Sequence, residues 1–128
     1  MTLQWTIDYL ADTRIVRVTT QGEVTFAGAI SVATDLAKHL ERNQAVKFLV
    51  DHRSALVNIS VTDLYYLVTE TEKVGLGPKY IGAIVFPKDT DHDFRFYQWR
   101  AANAGFRRRM FTGMDAALQW LDSNPRPA

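Results

Sequence analysis

The chain contains no cysteine, and this excludes disulfide bonds, thiolate catalysis, iron–sulfur clusters and thiolate zinc sites. A strong net charge is also absent, because 15 Lys and Arg residues stand against 14 Asp and Glu residues. Such a balance gives no overall field that would select nucleic acid or an anionic surface. No apolar run approaches the ~20 residues of a membrane helix, and the first residues lack the pattern of a signal peptide. We therefore predict a cytoplasmic chain with no membrane span and no nucleic-acid partner.

The overall composition is that of one globular domain. Of its 128 residues, 47% are apolar and 23% are charged, which is ordinary for a soluble fold with one core. No linker, low-complexity segment or internal repeat divides the chain. We predict one domain over residues 1–122 and a disordered tail over residues 123–128, where the sequence reads SNPRPA.

Hydrophobic periodicity predicts nine elements in the order β-β-α-β-α-β-α-β-α. Alternation with period two and β-branched residues predict strands over 3–10, 14–20, 45–51, 80–86 and 106–111. Apolar residues at three- and four-residue spacing predict helices after Thr25, Ser60, Thr90 and Thr112. The last three of these residues are each followed by an aspartate three positions later, which is the pattern of a capping box.

The connections predict how these strands pair. A short connection makes the first two strands antiparallel, whereas intervening helices make the others parallel with right-handed crossovers. The strand over 80–86 has no polar alternation, so it is expected to be central and covered on both faces. Arginines in the strand over 106–111 indicate an edge. The predicted fold class is α/β, with a single mixed sheet of about five strands.

Polar residues follow two of the predicted parallel strands. Asp51, His52 and Arg53 follow the strand over 45–51, and Asp91 and His92 follow the strand over 80–86. Because open α/β sheets bind ligands at the carboxyl ends of their strands, these five residues are candidates for a ligand-binding rim. Imidazole and carboxylate groups suit zinc or iron, and an Asp–His pair can act as a base.

A structural role explains the same residues. Adjacent residues of a strand point to opposite faces, and no pair of histidines has the spacing of a helical metal site. Asp51 can instead pair with Arg53 or Arg100 and cap loop amides. We favour this interpretation, and we predict no catalytic residue, no metal and no cofactor.

Aromatic residues are unusually dense on two neighbouring helices. Phe96 and Trp99 form a second stripe on the predicted helix 90–104, and Tyr65 and Tyr66 lie on the helix before it. The alternatives are packing between the core and a neighbouring helix, a homodimer or protein contact, and a groove for a small apolar or lipid-like ligand. The run 107–109, Arg-Arg-Arg, alternates faces in a strand, so we interpret it as protection of an edge and not as an anion-binding patch.

Several segments together carry a resemblance that spans most of the chain. They are WTI (5–7), FLVDHR (48–53), ISVTDL (59–64), the segment 94–105 from FRF to NAG, and the segment 111–121 ending in AALQWL. With this element order, the chain resembles the STAS-like superfamily. It is most similar to the small bacterial SpoIIAA-like branch, which is grouped with STAS and CRAL-TRIO-type lipid-carrier domains.

The resemblance implies a function and one candidate residue. In partner-switching STAS proteins, a motif such as Asp-Ser-Ser-Gly at a helix start supplies a phosphorylated hydroxyl. Here the equivalent stretch is Asn58-Ile59-Ser60-Val61, which lacks the preceding acid and the following glycine. Ser60 nevertheless occupies the equivalent place at the helix start, so it is the phosphorylation candidate. Helix capping is the alternative role. The resemblance implies a non-enzymatic regulatory or interaction module that is dimeric or binds a protein partner. A carrier of a small apolar ligand and a rim enzyme are the alternatives.

Overall fold

The structure, a computed structural model, describes residues 1–88 and 94–124, apart from the side chains of residues 94–96. Nine elements follow one another in the predicted order. The strands are β1 (Gln4–Leu10), β2 (Ile15–Val24), β3 (Lys47–Val57), β4 (Ile81–Val85) and β5 (Arg107–Phe111). The helices are α1 (Phe26–Arg42), α2 (Val61–Lys73), α3 (Phe94–Asn103) and α4 (Met114–Ser123).

The strands form one mixed sheet in the order β1-β2-β3-β4-β5. The pair β1–β2 is antiparallel, and the pairs β2–β3, β3–β4 and β4–β5 are parallel, as predicted. β5 is an edge strand. β4 is an interior strand as its apolar sequence indicates, but β3 occupies the middle of the sheet. The predicted fold class is confirmed.

Helices cover the two faces of the sheet unequally. On one face, α1 packs over Val16, Val18, Phe48 and Val50, and α2 and α3 pack beside it. On the other face, α4 places Ala117 and Leu121 against Leu49 and the buried residues of β4. A Cβ at Gly82 would overlap the ring of Phe48, so glycine lets this ring lie across β4.

Helix starts follow the predicted caps in two of the three described cases. The Oγ1 atom of Thr25 accepts a hydrogen bond from the Gly28 N–H, and the Oγ atom of Ser60 accepts one from the Asp63 N–H, both at 3.1 Å. The prediction for Thr112 is wrong: this residue lies in the bend that leaves β5, so Gly113 is the N-cap and provides no side-chain bond. Thr90 lies outside the described residues.

α4 reaches Ser123, one residue into the segment predicted as a tail, and residues 125–128 lie outside the described part of the chain. Among the helices of residues 1–88 and 94–124, none combines the length and the apolar character needed to cross a bilayer.

Candidate functional site

The segment Asp51-His52-Arg53 lies inside a strand and not in a loop. The prediction ended this strand at residue 51, but β3 continues to Val57. It does so because β2 is also longer than predicted, and Gln21–Val24 pair with Ser54–Val57. β4 ends at Val85, opposite Asp51, so β2 and β3 continue past it as a two-stranded ribbon.

A β-bulge explains why three polar residues interrupt an apolar strand. Asp51 is paired with Thr19 and Ser54 with Gln21, so two residues of β3 stand opposite the single residue Thr20 of β2. The extra residue reverses the alternation of side chains. Phe48, Val50 and His52 face the α1–α3 side before the bulge, and Ala55 and Val57 join the core on that side after it.

The carboxylate of Asp51 holds the bulge in shape. It accepts hydrogen bonds from the backbone N–H of Arg53 and from the Arg53 side-chain atoms Nε and Nη2, each at 3.0 Å. Burial alone would raise the pKa of Asp51, but the Arg53 side chain and amide outweigh burial, so the pKa is lowered. The predicted pairing with Arg53 is therefore confirmed, and the amide that Asp51 caps belongs to the bulge and not to a loop.

His52 points to the other side of the sheet, into the protein. Its Nδ1 atom lies 2.7 Å from the Oγ1 atom of Thr20, and the same oxygen lies 3.3 Å from the carbonyl oxygen of Asp51. The imidazole also packs 5.5 Å from the ring of Phe86. Burial lowers the pKa of His52 to about 4, and the nearby Asp51 charge offsets this only in part. His52 is therefore neutral at neutral pH.

The five rim candidates are thus only partly located. Asp51 and Arg53 bond to each other, and His52 faces away from them into the core. Asp91 and His92 lie outside the described residues, so their distance from His52 is not defined. Among residues 1–88 and 94–124, no group of three or more His, Asp or Glu side chains is arranged to hold a metal ion.

A second polar cluster lies around Arg108 of β5, and it was not predicted. Arg108 is only 5% exposed, whereas the neighbouring Arg109 is exposed. Its Nη1 atom donates to the Thr71 Oγ1 atom at 2.7 Å and to the Tyr97 Oη atom at 3.0 Å, and Nη2 donates to the Leu76 carbonyl oxygen at 2.6 Å. Alternation could have identified it, because Arg108 shares a strand face with Phe106 and Met110.

Arg108 and His52 both line a cavity between the sheet and the layer of α1, α2 and α3. Its volume is about 80 Å³. The walls are mostly aliphatic and aromatic, with contributions from Val32, Leu36 and Leu64 among others. The cavity is well below the ~300 to 1,000 Å³ of ordinary ligand pockets, so it is too small for a lipid.

The aromatic residues divide into a buried group and an exposed group. Tyr97 is buried, whereas Tyr65, Tyr66 and Trp99 are 42%, 52% and 64% exposed. Tyr65 and Tyr66 meet edge to face with ring centroids 5.3 Å apart, and the Arg100 guanidinium lies 4.5 Å from the Tyr65 ring. The side chain of Phe96 is outside the described part of the structure. Packing therefore accounts for Tyr97 and leaves the other three rings on the surface.

Ser60 lies at the start of α2, the helix that also exposes Tyr65 and Tyr66. It is exposed at the start of α2, and the next residue, Val61, is 54% exposed. We call the residues Val61, Tyr65, Tyr66 and Trp99 the α2–α3 aromatic surface. Helix α2 thus combines a solvent-accessible hydroxyl group at its start with exposed apolar side chains along its length, and α3 exposes Trp99.

Among comparisons with known proteins, only the comparison of structures found similar proteins, and it supports the fold. No protein-family model matches the sequence, and no curated protein matches it either. Among solved structures, the anti-sigma factor antagonist SpoIIAA in its unphosphorylated form matches with a TM-score of 0.53 and 7% identity, over 94% of this chain and 100% of that one. The Bacillus cell fate determinant SpoIIAA in its phosphorylated form matches with a TM-score of 0.55 and 8% identity, over 92% and 99%.

A third solved structure agrees with these two. It is an uncharacterized DUF3478-family protein with a SpoIIAA-like fold from Shewanella loihica PV-4, with a TM-score of 0.51 and 17% identity over 93% of each chain. The chain therefore has the STAS-type, SpoIIAA-like fold that its sequence predicted. At these identities, the similarity establishes the fold and not the activity.

Proposed function

We propose that this chain is a non-enzymatic regulatory module that binds a protein partner through the α2–α3 aromatic surface, and that phosphorylation of Ser60 releases the partner. The observation that carries the proposal is the position of Ser60: it is an exposed N-cap hydroxyl at the start of the helix that also exposes Val61, Tyr65 and Tyr66. Exposed apolar groups of this kind mark interaction surfaces.

The similarity of fold supports a regulatory role. Two of the matching structures are SpoIIAA, an anti-sigma factor antagonist known in unphosphorylated and phosphorylated forms. A module that exists in both forms provides a precedent for control by a phosphate on this fold. This chain reaches the same topology with a different local sequence, Asn58-Ile59-Ser60-Val61.

The local electrostatics of Ser60 allow a phosphate. The Ser60 Oγ atom accepts the Asp63 N–H, so the cap uses the oxygen lone pair and leaves the hydroxyl hydrogen free of this bond. A phosphate at a helix N-terminus is stabilised by the helix dipole and by free N–H groups. The new charge of about −2 would also add to the Asp63 carboxylate in the first turn of α2, next to the exposed Val61, and this would repel an apolar or acidic partner.

The partner can be a second copy of this chain or a different protein. Tyr and Trp are enriched at protein interfaces because they bury a large apolar area and keep a polar group at its rim. Arg100 lies over the Tyr65 ring and adds a cation at the same surface. A homodimer is the form of this proposal that needs no second gene product.

Capture from cells of the native host, followed by native mass spectrometry, tests the proposal. We expect the wild-type chain and Ser60→Ala to retain the same partner, and Ser60→Asp and Tyr66→Ala to lose it. Ser60→Ala costs about 1 kcal/mol of stability through the lost cap but adds no charge, so it separates a folding effect from a charge effect.

An exposed residue away from this surface provides the matched control. Arg109→Ala on β5 removes an exposed side chain and should leave the partner in place. The proposal is wrong if all four variants retain the same species as the wild-type chain, or if the wild-type chain is a monomer that captures nothing.

The other two hypotheses have less support. A lipid carrier needs a pocket several times larger than the 80 Å³ cavity found within the described residues. A metal or acid–base enzyme depends on Asp91 and His92, for which the structure gives no geometry, and on a His52 that faces the core.

A further inference from the structure

The guanidinium of Arg108 is buried without an anionic partner among the described residues. Its three hydrogen bonds go to two hydroxyl oxygens and one carbonyl oxygen, all of which are neutral. No described carboxylate lies within ion-pairing distance of Arg108. Arginine does not lose its proton in proteins, and burial of an unpaired charge is costly. An anion is therefore the group that would complete this site.

Unused hydrogen-bond donors are present at the same place. A guanidinium group has five N–H bonds, and the three contacts described above use three of them. Tyr97 accepts from Arg108 through its oxygen, and within residues 1–88 and 94–124 its own O–H has no acceptor. Both residues line the 80 Å³ cavity, and Tyr97 is 3% exposed. Two adjacent side chains can therefore donate to one acceptor group.

The other residues of the cavity determine the charge and polarity that a ligand can have. Its other polar side chains among the described residues are Thr71, which donates to the Leu67 and Val68 carbonyl oxygens, and His52. Burial holds the pKa of His52 at about 4, so it brings no positive charge at neutral pH. The walls are otherwise apolar, so a multiply charged anion such as phosphate would be poorly solvated there.

We propose that this cavity binds a short-chain monocarboxylate, whose head group accepts hydrogen bonds from Arg108 and Tyr97 and whose apolar chain lies between α1 and the sheet. A volume of 80 Å³ is roughly half of an engineered ~150 Å³ cavity that accepts benzene. It therefore fits an acid of roughly four to five non-hydrogen atoms, the size of acetate or propionate. The site is separate from Ser60 and from the α2–α3 aromatic surface, so it goes beyond the regulatory function proposed above.

Propionate and propionamide are the probes that test this site, because they have nearly the same shape and differ in charge. Methyl NMR spectra are recorded as sodium propionate is added, with sodium chloride as the ionic control. We expect saturable shifts confined to cavity methyl groups such as those of Val32, Leu64 and Met110, with a Kd in the millimolar range or tighter. Propionamide should bind roughly tenfold more weakly or not at all, because it lacks the charge that Arg108 complements.

Two variants that change few contacts test whether propionate binds in this cavity. Tyr97→Phe removes one hydroxyl and should weaken propionate binding roughly tenfold. Ala29→Leu adds three carbons to the cavity wall and should abolish the shifts while the circular dichroism spectrum stays native. Arg108→Met should also abolish binding, but it removes the bonds to Thr71 and Leu76 as well, so it serves only as support.

Three results would overturn the assignment. They are an absence of saturable shifts in the wild-type chain, equal binding of propionate and propionamide, and unchanged propionate binding in both Tyr97→Phe and Ala29→Leu. None of these results affects partner binding by the α2–α3 aromatic surface, so the two proposals fail separately.

Discussion

Two arginines of this sheet have opposite surroundings. Arg53, in the bulge of β3, has a half-exposed side chain and makes two bonds to the carboxylate of Asp51. Arg108, in β5, is almost fully buried and bonds only to neutral oxygens among the described residues. In the conspicuous triplet Asp51-His52-Arg53, the two charged side chains thus pair with each other, and His52 contacts Thr20 instead. Arg108, which belongs to the run of three arginines at 107–109, instead lines the cavity described above.

This difference shows that a cluster of charged residues in the sequence does not indicate which charged side chain lacks an ionic partner in the structure. A guanidinium near water loses little when it is unpaired, because water solvates it. A buried guanidinium loses this solvation and depends on every acceptor around it. Mutations in the Arg108 cluster and in the Asp51-His52-Arg53 segment should therefore change the free energy of unfolding by different amounts. Three measurements test this difference.

The largest effect is expected for Arg108→Ala. It leaves the Leu76 carbonyl oxygen and the hydroxyl groups of Thr71 and Tyr97 without their donor and opens a void in the core. We expect the free energy of unfolding to fall by about 4 kcal/mol, measured by urea denaturation. Arg109→Ala, on the exposed side of the same strand, should change it by less than about 0.5 kcal/mol. Equal effects of the two substitutions would show that Arg108 is not a core residue.

The next effect is a pH dependence that comes from His52. Its folded-state pKa is about 4 and its unfolded value is 6.5, so the unfolded chain takes up a proton first as the pH falls. Stability from this group is fully present above pH 6.5 and is lost as the pH falls from 6.5 to about 4, by about 3 kcal/mol in all.

NMR titration of the His52 imidazole measures this pKa directly. Urea unfolding between pH 6.5 and pH 4 should show a positive slope of stability with pH that is reduced in His52→Gln. An imidazole that titrates near 6.5 in the folded protein would contradict the buried, neutral His52 described above.

The smallest of the three effects is expected for Asp51→Ala. It removes the acceptor of the Arg53 amide and side chain, and hydrogen bonds to a charged group contribute about 2 kcal/mol. Because the folded-state pKa of Asp51 is lowered, this contribution is lost below about pH 4, a window separate from that of His52. Asp8→Ala breaks the exposed Asp8–Arg17 pair and should cost less than about 1 kcal/mol. A cost for Asp51→Ala no larger than that control would mean that the bulge does not need its carboxylate.

Element order, pairing and fold were all predictable because they depend on local patterns. Thr25 and Ser60 mark helix starts by side chains that bond to a backbone N–H three residues on, and short or helical connections determine the direction of each strand. The helix after Thr112 was the exception among the described starts. A cap depends on where the chain leaves β5, and the residue pattern S/T-x-x-D/E does not contain that information.

The candidate site was harder to predict, because its key features depend on contacts between distant residues. The strand over 45–51 seemed to end at Asp51 because alternation fails there, and only the pairing of Ser54–Val57 with β2 reveals a bulge. Arg108 acquires its environment from Thr71, Leu76 and Tyr97, which lie 37, 32 and 11 residues away along the chain. Such distances carry no periodic signal.

The bulge at His52-Arg53 also has an evolutionary consequence. Within a regular strand, the gain or loss of one residue turns every later side chain to the opposite face. At this bulge the extra residue is already accommodated, so loss of Arg53 alone would leave Ala55 and Val57 on the same side as Phe48 and Val50. A deletion in the regular parts of β3, away from the bulge, would instead turn part of the core face outward. Length changes among chains of this lineage are therefore expected to accumulate at residue 53.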